Sequence, residues 1–327
     1  MILKTYIPLA VLAMFAMASC KKNTGSGPKP LPKGDTDVYV VGFVGSGGTN
    51  SIAAYWKNSV ETKLAGNTQI SSANAIAISG NDVYIAGSVS NSNSSFPVAC
   101  YWKNGIQVKL SDSLPVTSAN AIAVVGNDVY AAGTVNFRAT LWKNGIPATL
   151  DNQVSYAYGI AVSGNDVYVV GYVSDNTKSF PTIWKNGVET RLSDDLYGSI
   201  IYGIGISGND VYMVGPDNGV ATLWKNGVPS AFDSVGVSDE LFGMAISGAD
   251  VYLVRSGVTG YWKNGVKTVI PGYGFPDAIA VAGSDVYTAG NIPTEFSANE
   301  FVCYWKNKTL HQFGDGGGAR GIAVVVH

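Results

Sequence analysis

The chain has 327 residues, of which 46% are hydrophobic and 13% charged, with a formal net charge of -2 and 40 glycines. So little charge on so apolar a chain excludes intrinsic disorder, and the near-neutral balance lacks the basic footprint that nucleic-acid binding requires. Three cysteines are too few for the disulfide framework of a small secreted domain.

At the N-terminus, Lys4 precedes an apolar run from Ile7 to Ala18. A membrane-spanning helix needs roughly 20 residues, so a run this short, ending in small residues, reads as a secretory signal peptide over 1–19. Met17-Ala18-Ser19-Cys20 resembles the cleavage box of bacterial lipoproteins, which implies a lipid on Cys20; Met17 is the less usual residue in that box. The rival reading is ordinary cleavage after Ala18, leaving Cys20 free. Residues 20–36 carry Lys21, Lys22, Lys29 and Lys33 among prolines and glycines, without apolar periodicity, and read as a tether. A flexible segment of that length spans roughly 20–24 Å. By the same resemblance, Lys21 instead of aspartate after the cysteine implies sorting to the outer membrane, with periplasmic or outward display left open.

Everything after the tether is one repeat. Asp-Val-Tyr begins at Asp37, Asp82, Asp128, Asp166, Asp210, Asp250 and Asp285, and all seven tryptophans stand in Trp-Lys-Asn, about 41 residues apart. A third phrase like Ala-Ile-Ala-Val-Ser opens at Asn74, Asn120, Tyr158, Tyr202, Phe242, Asp277 and Arg320. Each unit therefore predicts four short strands: a (Ala-Ile-Ala-Val), b (Asp-Val-Tyr-x-x-Gly), c (ending in Trp-Lys) and d. Gly-Asn-Asp separates a from b, and Asn-Gly, a strong hairpin signal, separates c from d. Four strands every 40–45 residues is the period of a β-propeller. From each opener to the next Asp is eight residues, and eight beyond Arg320 falls just past the chain end. The expected fold is thus all-β: a seven-bladed propeller over 37–327, closed by the C-terminal strand completing blade 1. Closure leaves no open sheet edge and suits a monomer.

This pattern is similar to kelch-type propellers. It resembles more closely the bacterial extracellular HAF repeat, in Thr140-Leu141-Trp142-Lys143-Asn144-Gly145, Leu150 and Tyr158-Gly159-Ile160. Blades 1 and 7 depart, with Asn58-Ser59 and Asn307-Lys308 in place of Asn-Gly. The resemblance implies fold and address, not activity.

Residues that recur in every unit belong to the framework. The tryptophans are expected between blades and the seven aspartates in turns. Cys100 and Cys303 stand two residues before a tryptophan, where Thr140, Thr182 and Thr222 stand in other units. They fall in blades separated by blade 1, beyond disulfide reach, and are expected buried and unpaired.

Function is sought where the repeat varies. The a–b and c–d turns are constant, whereas the interval from the end of strand b to the tryptophan runs from 7 to 15 residues. The face carrying the b–c and d–a connections is therefore the expected working face. There the openers Asn74, Asn120, Tyr158, Tyr202, Phe242, Asp277 and Arg320 are expected to ring the channel mouth. Arg255 joins them, replacing the glycine that ends strand b in the other six units. Two readings of Arg255 stand: a grip on a ligand carboxylate, or a pair with Asp277 of the neighbouring blade. The loops hold further carboxylates (Asp151, Asp175, Asp194, Asp195, Asp217, Asp233, Asp239, Glu240, Glu295, Glu300, Asp315), of which the adjacent pairs Asp194-Asp195 and Asp239-Glu240 could serve a glycosidase, and tyrosines (Tyr156, Tyr172, Tyr197, Tyr273). No metal or cofactor motif occurs, and the two histidines, His311 and His327, fall in strand d of blade 7 and at the terminus. The expectation is a lipid-anchored envelope propeller binding a glycan or an envelope protein. The alternative is a propeller glycoside hydrolase or lyase using loop carboxylates.

Overall fold

The computed structural model describes residues 35–45, 51–66, 70–90, 96–112, 114–175, 177–193, 198–233, 242–272, 274–293 and 300–327. Residues 1–34, which include the stretch read as a signal peptide, Cys20 and most of the stretch read as a tether, lie outside them, as do Asp194, Asp195, Tyr197, Asp239, Glu240 and Tyr273.

Seven four-stranded antiparallel sheets follow one another, each with strands in the order a-b-c-d. Blade 2 is representative, with a at Ile70–Ser79, b at Asp82–Ser90, c at Val98–Lys103 and d at Ile106–Lys109. The C-terminal strand Gly317–Val326 pairs antiparallel with Thr36–Val44, so blade 1 is built from both ends of the described chain. That pairing closes the ring as the eight-residue spacing predicts.

Turn chemistry sets the register. In blades 2 to 6 the c–d turns hold Asn at φ 49–52° and Gly at φ 80–83°, the left-handed pair of a type I′ hairpin. In blade 1 Ser59 occupies the second position at φ 70°, a conformation costly to any residue with a Cβ.

The tryptophans lie between blades, each against the preceding one. Trp142 of blade 3 packs with Leu110 of blade 2, and its indole N–H donates to the Leu110 carbonyl at 2.8 Å. Trp56 of blade 1 packs on Phe313 of blade 7, and Trp262 on Phe232 of blade 5. All seven are at most 3% exposed. Facing them are alanines such as Ala75, Ala77, Ala86 and Ala99, whose small side chains let neighbouring sheets approach. Cys100 and Cys303 are buried and unpaired. They fill the threonine slot: where the Thr140, Thr182 and Thr222 hydroxyls donate to a carbonyl two residues back, the Cys303 thiol donates to the Gly290 carbonyl at 3.4 Å. Burial pushes the Cys100 thiol up to about 12, so it stays neutral and unreactive.

Strand a differs from the sequence expectation. Pairing with strand b continues past the residue read as its opener, with a register shift there in five blades: at Asn74, Asn120, Tyr158, Asp277 and Arg320. These residues are β-bulges inside a long strand, not the first residues of a short one. The glycine ending the b motif is the cause. Gly87 lies opposite Ala73, and a Cβ there would overlap the Ser72 carbonyl oxygen; Gly171 stands in the same relation to the Tyr156 carbonyl. Only glycine admits the kinked backbone so close.

Candidate binding site

The two ends of each blade have different chemistry. At the end carrying the a–b and c–d turns, four repeat residues form a closed cluster. In blade 4 the Asp166 carboxylate accepts from Lys185 Nζ at 2.7 Å and from Asn186 Nδ2 at 2.8 Å. Asn186 Oδ1 accepts from the Val167 N–H at 2.8 Å, and Lys185 Nζ sits 5.1 Å from the Tyr168 ring centroid. The aspartate–lysine pair recurs in all seven blades at 2.7–2.9 Å. The lysine-on-tyrosine contact recurs in all seven at 5.1–5.3 Å. Hydrogen bonds from lysine and asparagine hold Asp37, Asp128, Asp166, Asp210 and Asp250 below the usual carboxylate range. The sequence reading made these aspartates turn residues but left them separate from the lysines and tyrosines. The recurrence of Asp-Val-Tyr and Trp-Lys-Asn together in all seven units is the signal that joins them, although the interval between the two phrases varies. Each lysine of this cluster is matched to an aspartate of its own blade.

At the other end the backbone is equally regular but the side chains vary. Asn74 and Asn120 are buried and staple one blade to the next: Asn74 Nδ2 donates to the Ala119 carbonyl at 2.9 Å, and Asn120 Nδ2 to the Ala157 carbonyl at 2.8 Å. Tyr158 and Tyr202 are also buried, their rings 5.0 Å apart across the interface of blades 4 and 5. Asp277 is 8% exposed and Arg320 half-buried, the guanidinium 5.4 Å from the Phe43 ring. Burial raises the Asp277 carboxyl to about 7; a hydrogen bond from Ser256 and the charge of Arg320 oppose the rise, and Glu300 adds to it. Arg255 is buried at 4% exposure. Over the described part of its blade, which begins at Phe242, the register runs without a shift: Arg255 pairs with Phe242 and Val254 with Gly243.

Packing thus buries Asn74, Asn120, Tyr158, Tyr202, Arg255 and Asp277 of the predicted ring; Arg320 stays partly open, and the side chain of Phe242 lies outside the described ones. Beside the buried tyrosines, Tyr156 and Tyr172 are also left partly open. They are cross-strand partners, one step beyond the Tyr158 bulge, with rings stacked at 5.1 Å and 15°. Tyr158 lies 6.2 Å from Tyr172 and 6.4 Å from Tyr156, so four tyrosines with Tyr202 form one continuous slab. Tyr156 and Tyr172 are half-buried. The sequence reading placed both in loops; the extended strand pairing puts them on a sheet.

Asp151, Asp175 and Asp217 are each engaged by hydrogen-bond donors close by. Asp175 accepts from the Thr177 hydroxyl and from the Thr177 and Lys178 N–H groups, at 2.6–2.9 Å. Asp151 accepts from the Gln153 N–H at 2.7 Å, and Asp217 from the Ser199 hydroxyl at 2.9 Å. No group of three metal-ligating side chains occurs among the described residues.

The fold defines the class: an all-β, seven-bladed propeller of four-stranded blades. By sequence the chain matches no protein-family model and no curated protein. By structure it is similar to a quinonprotein alcohol dehydrogenase-like protein from Bacteroides thetaiotaomicron, at 12% identity and a TM-score of 0.53 over 89% of this chain and 77% of that one. It also superposes on TolB from Acinetobacter baumannii at 9% identity and a TM-score of 0.48, covering 88% of this chain and 66% of that one. The WD40 propeller domain of Doa1 superposes at 11% identity and a TM-score of 0.47. At such identities a likeness speaks for the fold alone.

Proposed function

We propose that the chain is a lipid-anchored binding propeller of the bacterial cell envelope that takes a glycan on the face carrying the b–c and d–a connections. The tyrosine slab carries this reading. Stacked rings offer a rigid apolar face with polar tips, the surface a sugar ring meets through its C–H and O–H groups at once. The slab sits on two paired strands and is backed by buried Tyr158 and Tyr202, so it is held in shape before a ligand arrives. The lipid on Cys20 rests on the resemblance of Met17-Ala18-Ser19-Cys20 to a lipoprotein cleavage box. The hydrolase or lyase alternative rests on the adjacent pairs Asp194-Asp195 and Asp239-Glu240, which lie outside the described residues; Asp151, Asp175 and Asp217 are committed to hydrogen bonds.

The test is a screen of residues 21–327 against envelope glycans and polysaccharides. Every blade is complete within residues 36–326, so this removes no strand. Saturable binding that falls at least tenfold in Tyr156→Ala and Tyr172→Ala, with melting unchanged, is the expected result. Binding indifferent to both substitutions would remove the slab as the site. A blank screen from folded protein would favour the envelope-protein partner instead.

A further inference from the structure

The face opposite the slab carries a repeat of its own. The residue after each c–d turn opens strand d and pairs with the lysine of Trp-Lys-Asn: Val60 with Lys57, Ile106 with Lys103, Ile146 with Lys143, Val188 with Lys185, Val228 with Lys225 and Val266 with Lys263. These six side chains are 68–73% exposed. The next most exposed large hydrophobic among the described residues is Val269, at 61%. The strand does not require such apolar residues. Blade 7 has Thr309 there, paired with Lys306 in the same register, and threonine has the same branching and β preference.

Single exposed valines are ordinary, but six in equivalent positions of a closed ring are not scattered. Identical register places them near one plane around the rim, a shape that fits a flat partner. The lysines beside them are matched one to one by aspartates, so the face suits apolar contact with neither sign of charge dominant. The N-terminal segment joins the propeller on this face. The His327 N–H donates to the Asp35 carbonyl at 3.0 Å, and Asp37 belongs to the blade 1 cluster with Lys57 and Asn58. Between Cys20 and Asp35 lie residues 21–34, which as a free chain reach roughly 20 Å.

We propose that this face docks on the lipid bilayer, the six valine and isoleucine side chains settling at the boundary of headgroups and acyl chains, so that the tyrosine slab points away from the membrane. The proposal rests on the lipid anchor at Cys20. The anchor supplies a high local concentration, and the ring converts it into an orientation.

The experiment uses the lipidated protein from the producing cell, reconstituted on phosphatidylcholine vesicles containing brominated lipid. A fluorophore is attached in turn at Ser59→Cys, in the blade 1 c–d turn, and at Asn152→Cys, on the opposite face. Quenching at least threefold stronger at position 59 supports the proposal. A second chain carries threonine at all six ring positions, the residue blade 7 already uses; the quenching difference should vanish in it while tryptophan emission and melting stay unchanged. Equal quenching at both positions on vesicle-bound protein overturns the docking face and leaves the anchor standing. Protein that does not float with vesicles overturns the anchor, and the proposal with it. A doubled mass in solution that reverts in the six-threonine chain assigns the ring to a second copy and overturns the bilayer as its occupant.

Discussion

Blades 4 and 6 are built from the same repeat and differ at one informative position. In blade 4, Gly171 ends the b motif, strand a bulges at Tyr158, and pairing runs on to bring Tyr156 against Tyr172. In blade 6, Arg255 stands in place of glycine and pairs straight across with Phe242. In blade 4 the missing Cβ of Gly171 gives the kinked strand room, and the kink decides which side chain enters the seam to the next blade. Framework and variation are carried by different atoms: the backbone at this end follows the glycine, while the bulged residue is free to be Asn, Tyr, Asp or Arg. At the opposite end no such freedom exists, because Asp, Tyr, Lys and Asn satisfy one another within each blade.

The comparison can be broken most severely in blade 4. Gly171→Arg drives a Cβ into the Tyr156 carbonyl and should cost about 3–5 kcal/mol, with loss of any ligand held by the slab. Denaturant unfolding checks this, and a cost under about 1 kcal/mol would mean that the bulge does not depend on glycine. Next comes Asp277. Its folded-state carboxyl titrates at about 7, above its ordinary 3.8, so the folded state binds this proton more tightly than the unfolded state. The contribution is therefore full below about pH 4 and lost as pH rises to 7. The cluster carboxylates run the other way: lowered in the fold, they support it above about pH 4 and cease to as pH falls further. Stability should peak near pH 4–5. Asp277→Asn should gain a few kcal/mol at pH 8 relative to the parent and flatten the pH 4–7 limb. A parent curve already flat over that limb would contradict the burial assigned to Asp277.

A smaller effect is expected from the converse exchange in blade 6. Arg255→Gly removes a buried side chain from a straight strand and should cost about 1–3 kcal/mol without creating a bulge, since residues on strand a also have to shift. Amide exchange in Phe242–Ser247 reads this directly; a register change there would show that glycine alone suffices. The smallest effect concerns the constant end. Ser59→Gly relieves a left-handed serine in the one c–d turn where a second positive φ falls on a side-chain-bearing residue, and should stabilise by about 0.5–1 kcal/mol.

Much of this molecule is legible in one dimension. Seven copies of Asp-Val-Tyr and of Trp-Lys-Asn, the eight-residue interval and the Asn-Gly turns determine the number of blades, the strand order, the closing strand and the burial of every tryptophan. They do so because turn geometry and the two-residue period of a strand are local properties, written wherever the chain carries them. The unpaired cysteines and the different character of the two faces follow from the same repeat. What the sequence did not determine is which way the variable residues point. Asn74, Asn120, Tyr158 and Tyr202 occupy the positions where the repeat varies and read as a rim, yet they are buried between blades. That outcome depends on a bulge, which needs the carbonyl of one strand to lie against the absent Cβ of another. The slab likewise needs the bulge to stack Tyr156, Tyr158 and Tyr172 within blade 4, and blade 5 set beside it to add Tyr202. Local spacing carries the fold because hydrogen-bonded turns are short-range; the tertiary structure decides the site because side-chain direction at a kink is set by contacts between residues far apart in the chain.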